Sequence, residues 1–310
     1  MHPSQIAMEL PIEAEAVRME SVPVTSLGLH GQDPHAQDQR KLFMKLLRSG
    51  VQDKLQNKTQ SDGPAAAWQA LSWRNAQALE PFFEETVCGQ TLRVKQLLQG
   101  ELTGFGTGLT VWPAACMLLK HLEHRYGRGS NSSTEASLES KLVVELGCGT
   151  GVVGIAAAML GAKRVVLTDV QKLLFLLQMN ADLARDLSGG RTNIEVETYD
   201  WGASPSARLL TEDGSSPDFV VISDCILPKL YPIEPLVEAL DRLTGINTTV
   251  LISYEHRHYE QFHPKLKFWE LLTARGFEIR EIDQSLYHPQ YYADDIEIWE
   301  AHRNSESISH

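Results

Sequence analysis

From Leu142 onward the apolar positions fall into short runs with the length and composition of buried strands. Between these runs the spacing changes to the three-to-four residue repeat of amphipathic helices. The strand-like runs are Leu142 to Leu146, Arg164 to Thr168, Asn193 to Thr198, Phe219 to Ile222 and Thr249 to Ser253. The helical stretches are Val152 to Leu160, Gln171 to Leu187, Ile233 to Leu243 and Pro264 to Arg275. This alternation predicts βαβ units on a parallel sheet, because parallel neighbours need a crossover and the crossover helices cover the sheet faces. Two more runs, Phe277 to Ile282 and Ile296 to Ala301, follow with only a loop between them, so the sheet should finish with a reversed strand. The expected fold class is α/β, a doubly wound, mostly parallel seven-stranded sheet.

Upstream the pattern is weaker. Residues 1–39 are polar and interrupted by Pro3, Pro11, Pro23 and Pro34, with no sustained period, and read as a flexible tail. Residues 40–81 read as a helical extension, with amphipathic helices over Lys41 to Leu55 and Ala65 to Leu79 separated by the breaker run Ser61-Asp62-Gly63-Pro64. Phe82 to Leu98 suggests a hairpin turning at Cys88-Gly89, Leu109 to Tyr126 is helical in pattern, and the run from Gly127 to Thr134 reads as a linker. The main domain is expected over 82–303, with a C-terminal tail at 304–310.

Composition narrows the partners. The 310 residues carry 28 Lys+Arg against 40 Asp+Glu, a net charge of -12, which disfavours nucleic acid and anionic membrane as partners. Four scattered cysteines form no Cys-x-x-Cys pair, so neither a disulfide framework nor a zinc site is expected. The longest apolar run, Val152 to Leu160, is too short to span a bilayer, and the acidic N-terminus does not fit a presequence. A cytoplasmic setting, with access to the nucleus, is the expectation.

The strongest local signal is the strand Leu142 to Leu146 running into Gly147-Cys-Gly149-Thr-Gly151, where glycines allow a ligand to approach the backbone. Gly149-Thr-Gly151-Val-Val-Gly154 also satisfies the dinucleotide fingerprint, and Asp169, about 20 positions on at the end of the next strand, suits ribose hydroxyls. Two cofactors therefore compete for one loop. Glu145 inside the strand would repel a diphosphate but tolerate an amino-acid ammonium. The rest of the chain is also consumed by one continuing sheet, leaving no second catalytic domain for a dehydrogenase. The aromatic and acidic pairs downstream suit an adenine and a sulfonium, so the balance favours an adenosyl cofactor over NAD(P).

Several further blocks stand beside this loop: Gly108-Leu-Thr-Val-Trp112-Pro-Ala-Ala, Leu167-Thr-Asp169, Asp200-Trp201-Gly202, Ser223-Asp224-Cys225-Ile226 and Tyr254-Glu-His-Arg257. With them the chain resembles the seven-β-strand, Rossmann-like methyltransferases, and within these the family-16 protein lysine methyltransferases. The resemblance implies S-adenosyl-L-methionine as cofactor and methyl transfer to a side-chain nitrogen, lysine above all. It also implies a protein substrate of the kinds that family modifies: chaperones, a AAA ATPase (valosin-containing protein) or translation factors. Carried over residue by residue, Gly147, Cys148 and Gly149 would line the methionine part and ribose. Asp169 would hold the ribose hydroxyls, Trp201 would stack near the adenine, Trp112 would close over the cofactor, and Ser223 would sit beside it. Asp224 would orient the acceptor amine, with Tyr254 or Tyr231 as helper.

One departure bears on activity. The family's Asp-x-x-Tyr motif is here Asp224-Cys-Ile-Leu227, with Tyr231 four residues further on. This leaves open a catalytically weak cofactor-binding scaffold, and more remotely an NAD(P)-dependent oxidoreductase. The histidines of Tyr254-Glu-His256-Arg-His258, with His263, lack the spacing of a metal site and read as a charged face for choosing a protein substrate.

Overall fold

The computed structural model describes residues 73–74, 77–78, 80–98, 107–127, 137–228, 231–257 and 262–304. The expected tail at 1–39 and the helix Lys41 to Leu55 lie outside the described residues. The helix Ala65 to Leu79 is described at 73–74 and 77–78, and the linker at Gly127.

The hairpin is formed by β1 (Phe82–Val87) and β2 (Gln90–Lys95), antiparallel and turning at Cys88-Gly89. Helix α1 (Pro113–Tyr126) begins four residues later than its apolar pattern suggests. Pro113 supplies a preset φ at the first helical position but biases Trp112 toward extended backbone, so 109–112 leave the helix axis. Then come β3 (Leu142–Leu146), α2 (Val152–Met159), β4 (Arg164–Asp169), α3 (Leu174–Leu187), β5 (Ile194–Thr198), β6 (Phe219–Ser223), α4 (Ile233–Leu243), β7 (Thr249–Glu255), α5 (Pro264–Thr273), β8 (Phe277–Glu281) and β9 (Ile296–Arg303).

Strands β3 to β9 form one sheet in the order β5-β4-β3-β6-β7-β9-β8. Pairings are parallel from β5 through β7, and β9 is antiparallel to both its neighbours. The expected reversed strand is thus the last one in sequence, inserted between β7 and β8. The chain winds outward from β3 to β4 and β5, then returns to the other side of β3 with β6. The carboxyl ends of β3 and β6 therefore flank a topological switch point, where open α/β sheets bind ligands.

All five residues of β3 are buried, and they alternate between two cores. Leu142, Val144 and Leu146 face the core containing α4 and α5 residues such as Leu236 and Phe268. Val143 faces the other core, with Ala114, Met117 and Ile155. Glu145 shares the Val143 side, and its Oε2 accepts the Gly154 N–H of α2 at 2.7 Å. Its Oε1 has no hydrogen-bond partner among the described residues, and burial pushes its carboxyl up to about 8, against the lowering effect of the Gly154 bond. The acid expected to tolerate a ligand's ammonium is instead a neutral carboxyl packed against a helix.

A folded-state value above the unfolded one means that stability is lost as pH rises from about 4.5 to about 8. Glu145→Gln keeps the acceptor for Gly154 and removes this titration. Thermal unfolding should show the variant gaining on wild type as pH rises through this range, with no difference in acid; parallel curves would refute the assignment.

Candidate active site

The loop after β3 turns on three left-handed glycines, Gly147 (φ 59°), Gly149 (φ 55°) and Gly151 (φ 78°). At two of them the space is as restrictive as the torsion. A Cβ at Gly147 would lie 2.8 Å from the Trp201 ring and 2.9 Å from Cys225 Sγ. At Gly149 it would lie 2.6 Å from the backbone oxygen of Gly108. The loop is therefore pressed between the segment before α1 and the segments after β5 and β6.

These segments enclose a cavity of about 370 Å³ at the switch point. Its floor is Gly147, Cys148 and Gly149. Asp169, Val170 and Leu173 form one wall, Trp112 and Thr107 a second, and Trp201, Tyr231 and Leu227 a third. Ser223 and Asp224 close the end beside β6. The geometry brings together eight of the nine expected site residues: Trp112, Gly147, Cys148, Gly149, Asp169, Trp201, Ser223 and Asp224. The ninth, Tyr254, is not in the wall. Its position in β7 points it into the sheet core, where its ring lies 5.1 Å from that of Trp299. Tyr231 lines the cavity, as does Tyr199; the Tyr231 ring lies 5.9 Å from that of Trp201 and its hydroxyl 2.7 Å from Thr107 Oγ1.

Asp169 is oriented by backbone. Gly149 N–H donates to its Oδ2 at 2.8 Å and Val170 N–H to its Oδ1 at 2.7 Å. Burial raises its pKa, and these two bonds oppose the rise. The other fingerprint glycines are engaged too, Gly151 N–H with the Cys148 carbonyl at 2.8 Å and Gly154 N–H with Glu145. A diphosphate would meet a carboxylate and no free glycine amide from this set. Each Asp169 oxygen keeps a further lone pair for the cavity, an arrangement that fits a vicinal diol. Cys148 and Cys225 are buried here as thiols, their pKa values pushed well above the usual range by burial.

Sequence reasoning missed three participants. Thr107 carries no chemical signature, and Gly108, although it opens the Gly108–Ala115 block, is assigned no role there. Arg257, read as part of an outward charged face, turns inward. Its guanidinium grips Asp224 with both arms, Nη1 to Oδ1 at 2.6 Å and Nη2 to Oδ2. Its place in the Tyr254–Arg257 block, just past the end of a strand next to β6, was the available hint.

Residues 91–272 match the model of the lysine methyltransferase family. The chain belongs to that family. Relatives of this methyltransferase include protein N-lysine methyltransferase METTL21A of Xenopus tropicalis, 28% identical over 63% of this chain and 82% of that protein. They also include EEF1A lysine methyltransferase 3 of the same organism, 29% identical over 61% and 74%. Protein-lysine N-methyltransferase EFM6 of Saccharomyces cerevisiae is 30% identical over 57% and 73%.

Because the Gly108 backbone cannot swing aside as a side-chain tip would, Gly149→Ala should cost this methyltransferase about 1–3 kcal/mol. A urea denaturation midpoint at wild-type level would contradict this.

Proposed function

We propose that this protein-lysine methyltransferase binds S-adenosylmethionine in the cavity at the switch point and transfers the methyl group to a lysine presented beside Asp224. The observation that carries the proposal is Asp169, a carboxylate held by two backbone N–H groups in the wall of an otherwise largely apolar slot. Bound there, the cofactor supplies an electrophilic methyl group on a sulfonium.

The chain's own residues do the remainder. Asp169 accepts the ribose hydroxyls, Trp201 and Trp112 enclose the flat and apolar parts, and Gly147, Cys148 and Gly149 let the ligand lie against backbone. Trp112 is anchored for this by its indole N–H, which donates to the Thr107 carbonyl at 2.9 Å. Ser223 and Asp224, leaving the end of β6, face the acceptor. Methyl transfer is an in-line displacement, so alignment of a neutral amine and exclusion of water supply most of the acceleration. Asp224 lines the cavity with a left-handed backbone (φ 55°), a strained torsion of the kind that clusters at functional sites. Tyr231, tied to Thr107, closes the slot at the position where the family pattern has lost its tyrosine to Leu227.

The substrate we propose is a protein, and the relative named for EEF1A supports a translation factor ahead of a chaperone or AAA ATPase. The methyltransferase domain spans 82–303, preceded by an extension that reaches it through Arg74. Four free cysteines support a reducing, cytoplasmic compartment. Among the described residues no helix is long and apolar enough to cross a membrane.

Calorimetry with S-adenosylhomocysteine tests the placement. Wild type should bind, and Asp169→Ala should bind at least tenfold more weakly, since it loses two charge-assisted hydrogen bonds worth about 1.5–3 kcal/mol each. Equal affinities would remove the cofactor from this cavity.

A further inference from the structure

Asp224 is not a solitary carboxylate. Its side chain is 3% exposed, and behind it runs a chain of alternating charges that leads away from the cavity. Arg257 grips both Asp224 oxygens and also donates from Nη1 to the Glu255 carbonyl at 3.2 Å. The Glu255 carboxylate lies 3.4 Å from Arg257 but only 2.8 Å from Arg74. Arg74 in turn donates to both oxygens of Asp295, at 2.8 and 3.1 Å. Glu255 is thus shared, nearer to Arg74 than to Arg257, and the shortest contacts of the Arg257 guanidinium are those to Asp224.

We infer that Arg257, kept on Asp224 by the Arg74–Glu255 pair, makes the acceptor lysine easier to deprotonate. This rests on the reading that Asp224 faces that lysine. A bare buried carboxylate would hold the ammonium form and raise its pKa, opposing transfer, because only the neutral amine has the lone pair that attacks. A guanidinium on the same carboxylate cancels most of that field while leaving oxygen lone pairs to orient the amine N–H. Arginine suits the task because it stays charged at every working pH. The ammonium gives its proton to solvent. The amine lone pair then forms the nitrogen–carbon bond as the carbon–sulfur bond breaks, its electron pair staying on sulfur. Arg257 is a positioning residue in this scheme, and Arg74 a more distant one.

Other ionisable groups face the cavity: Asp169 from β4, Lys172 just before α3, Tyr199 and Asp200 after β5, Tyr231 before α4, and the thiols of Cys148 and Cys225. On the outer side of the Arg257 loop, His256 pairs with Glu297 of β9. All of these are unchanged in the variants below, so they contribute equally to each profile.

The test is single-turnover methyl transfer from tritiated S-adenosylmethionine, with the full-length enzyme in excess over the proteins of a lysate from cells lacking the gene. The rate at saturating enzyme, followed from neutral to alkaline pH, reports the bound complex. Wild type should rise along a limb set by the bound lysine. Removing a cation stabilises the ammonium, so Arg257→Gln should move the limb upward by about one pH unit, a roughly tenfold loss below it that vanishes at high pH. Arg257→Lys should keep the limb near its wild-type position, and Arg74→Gln should shift it the same way as Arg257→Gln but less. A loss by the same factor at every pH, or an Arg74→Gln profile superimposed on wild type, overturns the inference. Should Arg257→Gln fail to fold, Arg74→Gln, outside the cavity, decides alone. Unchanged S-adenosylhomocysteine affinity checks that each variant is intact. Asp224→Asn separates the two levels: wild-type rates there would overturn the reading of Asp224 itself, whereas loss there with an unmoved Arg257→Gln limb overturns only the role of Arg257.

Discussion

Everything in the site depends on how β3 ends. The strand is buried on both faces and has parallel partners on both edges, so the chain cannot continue straight and cannot leave backbone polar groups unpaired. It turns on left-handed glycines into α2, and that turn is clasped by neighbours. Cys148 N–H donates to the Thr168 carbonyl at 3.0 Å, and Gly149 N–H to Asp169. Gly147 lies under Trp201 and Gly149 against Gly108. One tight turn thus sets the cavity floor, aims the Asp169 carboxylate and fixes where three other segments can approach.

Three acids crowd within reach of this turn, and each is accommodated differently. Glu145, fully enclosed with one bond, becomes a neutral carboxyl. Asp169, partly open to the cavity, is held by two backbone N–H groups. Asp224, nearly as buried, is paired with an arginine. Burial raises the pKa of all three, and what opposes it decides the chemistry each can do. A helix-packing acid, a carboxylate held by backbone N–H groups and a charge-compensated carboxylate emerge from the same residue chemistry through different second partners.

Much of the architecture was legible along the chain. Each strand run and helical stretch from Leu142 to Ala301 has its counterpart, because a sheet buried on both faces demands near-continuous apolar strands and helices with one apolar side. The start of α1 was misjudged, since the apolar pattern runs through Trp112 whereas Pro113 sets the boundary. That four-residue difference matters, because the segment released from the helix becomes a wall of the cavity.

The cavity lining was legible where the chain carries unusual backbone or a recurring block of residues: the glycine loop, Asp169, Trp112 and Trp201. It was illegible where function depends on which way an ordinary residue turns. Tyr254 and Arg257 are three positions apart, yet Tyr254 lies in a strand whose pleat directs it into the core, while Arg257 sits just past the strand end and folds back onto Asp224. Glu145 was turned toward α2 by the same two-residue alternation. The fold class and the glycine turn were readable from the chain alone, because they follow from local periodicity and from torsions that only glycine adopts at low cost; the family was readable from its blocks of residues. That Tyr254 turns away from the cavity while Tyr231 lines it, which acid is neutral and which arginine holds Asp224 rest on the tertiary structure, because side-chain direction, burial and charge pairing depend on residues far apart in the chain.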